Sequence, residues 1–138
     1  MSDILAQSLR LPCGVVLENR LVKAAMTEGL ANPAGVPTAA LDRLYGLWSD
    51  GGAGLLLSGN ILVDGDHLER PGNVIIDQQP NEAMHQALSS WAKTATRKGN
   101  HFWAQISHAG RQTQKVINPH PKAPSSVKMG LPGGQFGE

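Results

Sequence analysis

Three apolar runs alternate with two amphipathic ones along this sequence, and that alternation restricts the fold more than any other feature. Leu21 to Met26 is apolar except for Lys23, Gly54 to Val63 contains Leu55, Leu56 and Leu57, and His101 to Ser107 reads His-Phe-Trp-Ala-Gln-Ile-Ser. Each is short and bounded by polar, Gly-rich or Asn-rich sequence, so each reads as a strand. Between the first two, Leu41, Leu44, Tyr45 and Trp48 recur at helical spacing after Thr38, a good N-cap, and Gly51-Gly52 stops the run. Between the second and third, Asn81 can cap a longer helix with Met84, Ala87, Leu88, Trp91, Ala92 and Ala95 on one face. Arg97 and Lys98 fall in its last turn, and Gly99 can close it. Strands alternating with helices in this way imply a parallel sheet with right-handed crossovers.

Ahead of these runs, Leu9-Arg10-Leu11 and Val15-Val16-Leu17 flank Pro12-Cys13-Gly14, a β-hairpin over residues 8–18. After Arg111 the sequence is rich in Pro and Gly, so residues 111–138 read as a loop or lid. The fold class is α/β, either an open doubly wound sheet or the first part of a (β/α)8 barrel. A closed barrel takes roughly 250 residues. A chain of 138 residues holds only three of its strands and is too short to close alone.

Composition sets further bounds. With 41% hydrophobic and 17% charged residues the chain resembles an ordinary globular domain. Twelve Lys and Arg against 11 Asp and Glu are scattered without a basic stripe, which argues against nucleic acid as a partner. A single cysteine, Cys13, excludes an internal disulfide and a multi-thiolate metal site, and no metal is expected. Met1-Ser2-Asp3-Ile4 is not followed by a signal-like apolar run, and no apolar run is long enough to span a bilayer. The expectation is a cytoplasmic protein with no membrane partner.

In parallel α/β folds the ligand sits beyond the carboxyl ends of the strands. Those ends carry Met26-Thr27, Gly59-Asn60, and Gln105 with His108. They hold no Ser/His/Asp set, zinc spacing or phosphate loop, and Gly51-Gly52-Ala53-Gly54 precedes a strand instead of following one. What they offer is neutral hydrogen bonding from rigid elements, suited to a flat heteroaromatic ring. The Gln105 amide can take the N3 hydrogen of an isoalloxazine while giving one to O2, and the Thr27 hydroxyl can donate toward O4. Spacing alone equally admits a Gln105 satisfied by neighbouring backbone and a Thr27 that only ends a strand. Trp48, Trp91 and Trp103 are assigned to helix packing or strand burial.

Four segments carry a further resemblance: Asn19 to Thr27 (Asn-Arg-Leu-Val-Lys-Ala-Ala-Met-Thr), Gly51 to Leu57, Gln105 to Arg111 (Gln-Ile-Ser-His-Ala-Gly-Arg), and Ala123-Pro124-Ser125. Their order and approximate intervals resemble those of the Old Yellow Enzyme and NADH:flavin oxidoreductase family, over residues 8 to 138. The resemblance implies that residues 1–138 form the N-terminal segment of a single FMN-binding (β/α)8 barrel, with the hairpin closing its bottom. It implies that Ala25, Met26 and Thr27 flank the flavin, with Thr27 tuning it, that Asn60 lies near the ring edge, and that Gln105 holds the pyrimidine side. His108 and Arg111 are implied as supporting loop residues. Also implied are NADH or NADPH as reductant and hydride delivery to the β-carbon of a small enone-like substrate, an ene-reductase activity. Thr27 stands where one branch of the family has cysteine and another threonine. Two positions depart from the family pattern: Ala25 replaces a usual proline, and Asn60 a usual Ala or Gly.

The family's substrate-binding His/Asn or His/His pair, its proton-donating Tyr and its phosphate loops come from later strands, beyond Glu138. The expectation is a truncated, cleaved or split chain that needs a complementary C-terminal barrel segment. Two alternatives stand beside it, a non-catalytic fragment or interaction module unable to bind FMN alone, and a small doubly wound domain for another nucleotide. The residues leave open the physiological substrate, the choice of nicotinamide and any homo-oligomer.

Overall fold

The structure, a computed structural model, describes residues 3–137. Strands β1 (Leu9–Arg10) and β2 (Val16–Leu17) form the expected antiparallel hairpin, with Leu9 opposite Leu17 and Arg10 opposite Val16. Cys13 is exposed in its turn. A second, parallel sheet is built around β4 (Leu55–Leu62), which is flanked along its whole length by β6 (His101–Ser107). That leaves its other edge to two shorter strands. β3 (Val22–Lys23) pairs at Leu55 and Leu56, and β5 (Val74–Ile75) at Ile61 and Leu62.

β3 is shorter than the apolar run Leu21 to Met26 predicts, and β5 lies between the second apolar run and the Asn81 cap, where no strand is predicted. Side chains account for the early end of β3. The Leu57 carbonyl accepts from Lys23 Nζ at 2.8 Å, and the Gly59 N–H donates to the Tyr45 hydroxyl at 3.0 Å. The Gln105 N–H likewise donates to Ser58 Oγ at 2.8 Å, and the β4–β6 register shifts between Leu57 and Asn60. Backbone groups that would continue regular pairing are thus satisfied by side chains, a local interruption of the β-bulge kind.

Helix α1 (Ala39–Asp50) follows Thr38, which has extended backbone but sends its hydroxyl to the Leu30 carbonyl at 2.7 Å instead of capping. Helix α2 (Glu82–Ala95) is capped as expected, Asn81 Oδ1 accepting from the Met84 N–H at 3.0 Å. It ends at Ala95, earlier than its sequence suggests, so Arg97 and Lys98 lie beyond it. Arg97 turns back to Asp50 at the end of α1, its Nε 2.9 Å from Oδ1 and its Nη2 paired with Oδ2.

The two helices cover one face of the sheet through Leu41, Tyr45, Leu56, Ile61, Val74, Trp91 and Ala95. Tyr45 is the hub, its ring 5.1 Å from both Trp91 and Phe102 and 4.8 Å from Trp48. β4 is buried over most of its length, as a central parallel strand must be. Trp48 and Trp91 pack as assigned, but Trp103 is 43% exposed, because β6 pairs only with β4 among the described residues and little covers its far side. Beyond a 3-10 turn at Gly110–Gln112, residues 113–137 are irregular apart from one bridge between Gln114 and Phe136. No helix among the described residues is long and apolar enough to cross a membrane.

Candidate functional site

Side chains of β4, β6 and the segment that follows β3 meet in one hydrogen-bonded row. Asn60 on β4 and Gln105 on β6 are register partners, and Gln105 Nε2 donates to Asn60 Oδ1 at 2.7 Å. Asn60 Nδ2 in turn donates to Thr27 Oγ1 at 3.4 Å, and the Thr27 hydroxyl donates to Glu69 Oε2 at 2.7 Å. Counting hydrogens shows what remains for a ligand. Gln105 keeps its Oε1 and one N–H, Asn60 keeps one N–H and one lone pair, and Thr27 keeps one lone pair. The Thr27 proton, expected to point outward, is committed to Glu69.

Glu69 stands in the loop between β4 and β5, with Arg70 Nε 3.0 Å and Nη2 2.9 Å from its Oε1. Partial burial pushes its carboxyl upward, but hydrogen bonds from Thr27, Arg70 and Asn73 and the Arg70 charge outweigh this and hold it below the ordinary glutamate value. Glu69 is therefore an anion at neutral pH.

Behind the row lies a half-buried charged network. The Tyr45 hydroxyl donates to Glu28 Oε1 at 2.5 Å, and Lys23 Nζ is 3.5 Å from the same oxygen and 4.2 Å from the Trp48 ring centroid. Burial pushes the Tyr45 hydroxyl well above its usual range, reinforced by the Glu28 bond and charge and opposed by the Gly59 N–H. Burial also holds the Lys23 ammonium below the usual lysine value, against the attraction of Glu28. This network fixes Glu28, next to Thr27, and Gly59, next to Asn60. A Cβ on Gly59 would collide with the Met26 carbonyl and the Glu28 carboxylate, so only glycine lets the two segments approach this closely. Ala25 is half-buried and Met26 is 52% exposed beside the row.

His108 and Arg111 stay outside it. His108 stacks on the buried His67 with ring centroids 4.7 Å apart, and both rings face Asp64, whose Oδ2 lies 2.9 Å from His67 Nδ1 and 3.5 Å from His108 Nε2. Hydrogen bonds from His67 and the Asp66 backbone, with a smaller one from His108, hold the Asp64 carboxyl below its ordinary value against a small opposing effect of burial. These three side chains could group around a cation, but their hydrogens point the wrong way. The Lys122 N–H donates to His67 Nε2 at 2.8 Å and the Gly110 N–H to His108 Nδ1 at 3.0 Å. Each ring thus turns its accepting nitrogen to a backbone N–H and its hydrogen to Asp64, whereas a ligating histidine offers a lone pair there and donates from its other nitrogen. The cluster reads as a clamp that ties His67 and the Lys122 segment together. Arg111 lines an open cleft with His120 and Lys122.

The structure brings together Thr27, Asn60 and Gln105, which the sequence singles out, and joins to them Glu69, which it does not; Glu28, Tyr45 and the Asp64–His67 pair likewise gain their contacts only from the fold. Lys23, a lone charge in an apolar run, was the only signal of the buried network. For Glu69 the sequence held none.

No protein-family model matches the chain. It is 33% identical over 105 residues to the NADH-dependent flavin oxidoreductase iliE of Hypocrea jecorina, an alignment covering 75% of this chain and 26% of that protein. Morphinone reductase superposes with a TM-score of 0.75 at 24% identity, over 90% of this chain and 32% of that one. The Old Yellow Enzyme homologue from Zymomonas mobilis superposes with a TM-score of 0.75 at 26% identity, over 89% of this chain and 33% of that one. The chain thus spans about a quarter of the length of the curated relative and about a third of the solved structures. Its strands and helices are those of a partial (β/α) barrel. By sequence and by fold, the chain is related to the Old Yellow Enzyme family of flavin oxidoreductases.

Proposed function

We propose that the complete protein is an FMN-dependent oxidoreductase that uses NADH or NADPH to reduce an electron-poor C=C bond in a small enone-like molecule, and that this chain supplies one edge of the flavin site. The observation that carries the reading is the hydrogen-bonded row Thr27–Asn60–Gln105, which runs from the segment after β3 across β4 to β6. Its unused groups fit an isoalloxazine edge. Gln105 Oε1 accepts no hydrogen bond among the described residues and would take an imide N–H, while the spare Gln105 N–H would reach an adjacent carbonyl oxygen. Asn60, in a place where the family usually has Ala or Gly, holds the Gln105 amide in that orientation and brings a further N–H. Met26, exposed beside the row, would give the ring an apolar contact, and Ala25 would sit behind it.

When bound, FMN supplies the chemistry, namely hydride uptake from a nicotinamide and hydride delivery to an alkene carbon. The residues of this chain bind and orient the ring and set the electrostatics at its edge. The test is to add FMN to the chain alone and to its mixture with a complementary C-terminal barrel segment. After free FMN is removed by gel filtration, a yellow protein fraction that oxidises NADH or NADPH when an enone is supplied is the expected result, and a colourless protein fraction from the mixture would refute the proposal.

A second reading, a fragment or interaction module unable to hold FMN alone, is favoured by one observation. β6 presents an unpaired edge, with Trp103 43% and Ile106 63% exposed. FMN binding by the 138 residues without any added segment would overturn it.

A further inference from the structure

The Thr27 hydroxyl has one hydrogen, and Glu69 Oε2 receives it at 2.7 Å. With Asn60 Nδ2 directed at one lone pair from 3.4 Å, a ligand meets only the other lone pair. Glu69 is anchored by Arg70, but the Arg70 side chain is 51% exposed and that of Glu69 27%, so solvent weakens the neutralisation by Arg70.

Resting on the flavin reading above, we infer that Glu69 is a positioning residue for the flavin: it draws the Thr27 proton away from the ring, stands behind it as a fixed negative charge, and lowers the reduction potential of the bound cofactor. Reduction places electron density on the ring. A hydrogen-bond donor at the ring edge stabilises that density, whereas an acceptor backed by an anion opposes it. Replacing the carboxylate with an amide removes the charge and weakens its hold on the Thr27 hydroxyl, and both changes favour the reduced ring. Glu69 lies in a loop and pairs with no strand, so the exchange leaves the sheet intact.

The test is a redox titration of the FMN-loaded complex as wild type, E69Q, T27V and the double variant. E69Q is expected to move the two-electron equilibrium about tenfold toward reduced flavin, which is about 30 mV. In the T27V background the same exchange is expected to move it threefold or less. Equal potentials for wild type and E69Q, or an undiminished shift without the Thr27 hydroxyl, would overturn the inference while leaving the flavin site standing. A wild-type complex that stays colourless would remove both. A flavin-free measurement separates the two further: by carboxyl 13C titration of the chain, T27V is expected to raise the Glu69 midpoint. An unchanged midpoint would show that Thr27 does not donate to Glu69 and would sink the inference alone.

Discussion

At the scale of single residues, one charged side chain ends a hydrogen-bonded row whose other members are neutral. Glu69 takes a hydrogen from Thr27 and is held below the ordinary carboxylate value despite partial burial. A carboxyl depressed on folding contributes stability that is present in full above its unfolded value, about 4.3, and is lost as the pH falls through the folded value. E69Q is therefore expected to lower stability at neutral pH and to flatten the acid limb below about pH 4.3. Urea midpoints measured across the acid range check this, and parallel curves for the two proteins would contradict it. Thr27, Asn60 and Gln105 were legible in the sequence because strand ends in parallel sheets collect ligand-facing groups and because their motifs resemble a known family. Glu69 was not. A loop carboxylate has no periodicity, and its partner Thr27 is distant in sequence, so only the fold brings them together.

At the scale of elements, the unusual strand is β4, where side-chain groups of Lys23, Tyr45 and Ser58 replace stretches of the regular ladder. Gly59 is its tightest point. G59A should push the Met26 carbonyl and the Glu28 carboxylate aside, and overpacking of this kind costs about 1–3 kcal/mol. Chemical denaturation of the variant measures the loss, and unchanged stability would mean that the two segments are not held as described. The hairpin, both helices, β4 and β6 were readable because each has a clear period, cap or turn. β5 was not readable, since two residues cannot show a period and it gains its identity only from pairing with Ile61 and Leu62. β3 ended early for a related reason: Lys23 breaks the apolar run and its ammonium spends its hydrogen bonds on Leu57, Glu28 and Tyr45.

At the scale of the whole molecule, the sheet is covered by helices on one face and, among the described residues, unpaired at the β6 edge. β6 pairs with β4 alone among the described residues, and Trp103 and Ile106 beside that edge are exposed. Amide exchange is expected to be faster in β6 than in β4 for the chain alone, and to slow in β6 when a complementary barrel segment is added. Equal protection of both strands in the isolated chain would show that the edge is already covered. The alternation of strands and helices predicted a parallel α/β sheet and the family resemblance implied a barrel segment, yet the sequence overstated the burial of Trp103, because packing at an edge depends on what lies beside it. The proposed flavin site depends on the same arrangement, since its row crosses from the segment after β3 through β4 to β6. The most direct test is the FMN dissociation constant of the complemented complex, wild type against the triple variant T27V/N60A/Q105A. With several ring contacts removed at about 1 kcal/mol or more each, affinity is expected to fall by at least about a hundredfold; equal affinity in the two proteins would contradict the account.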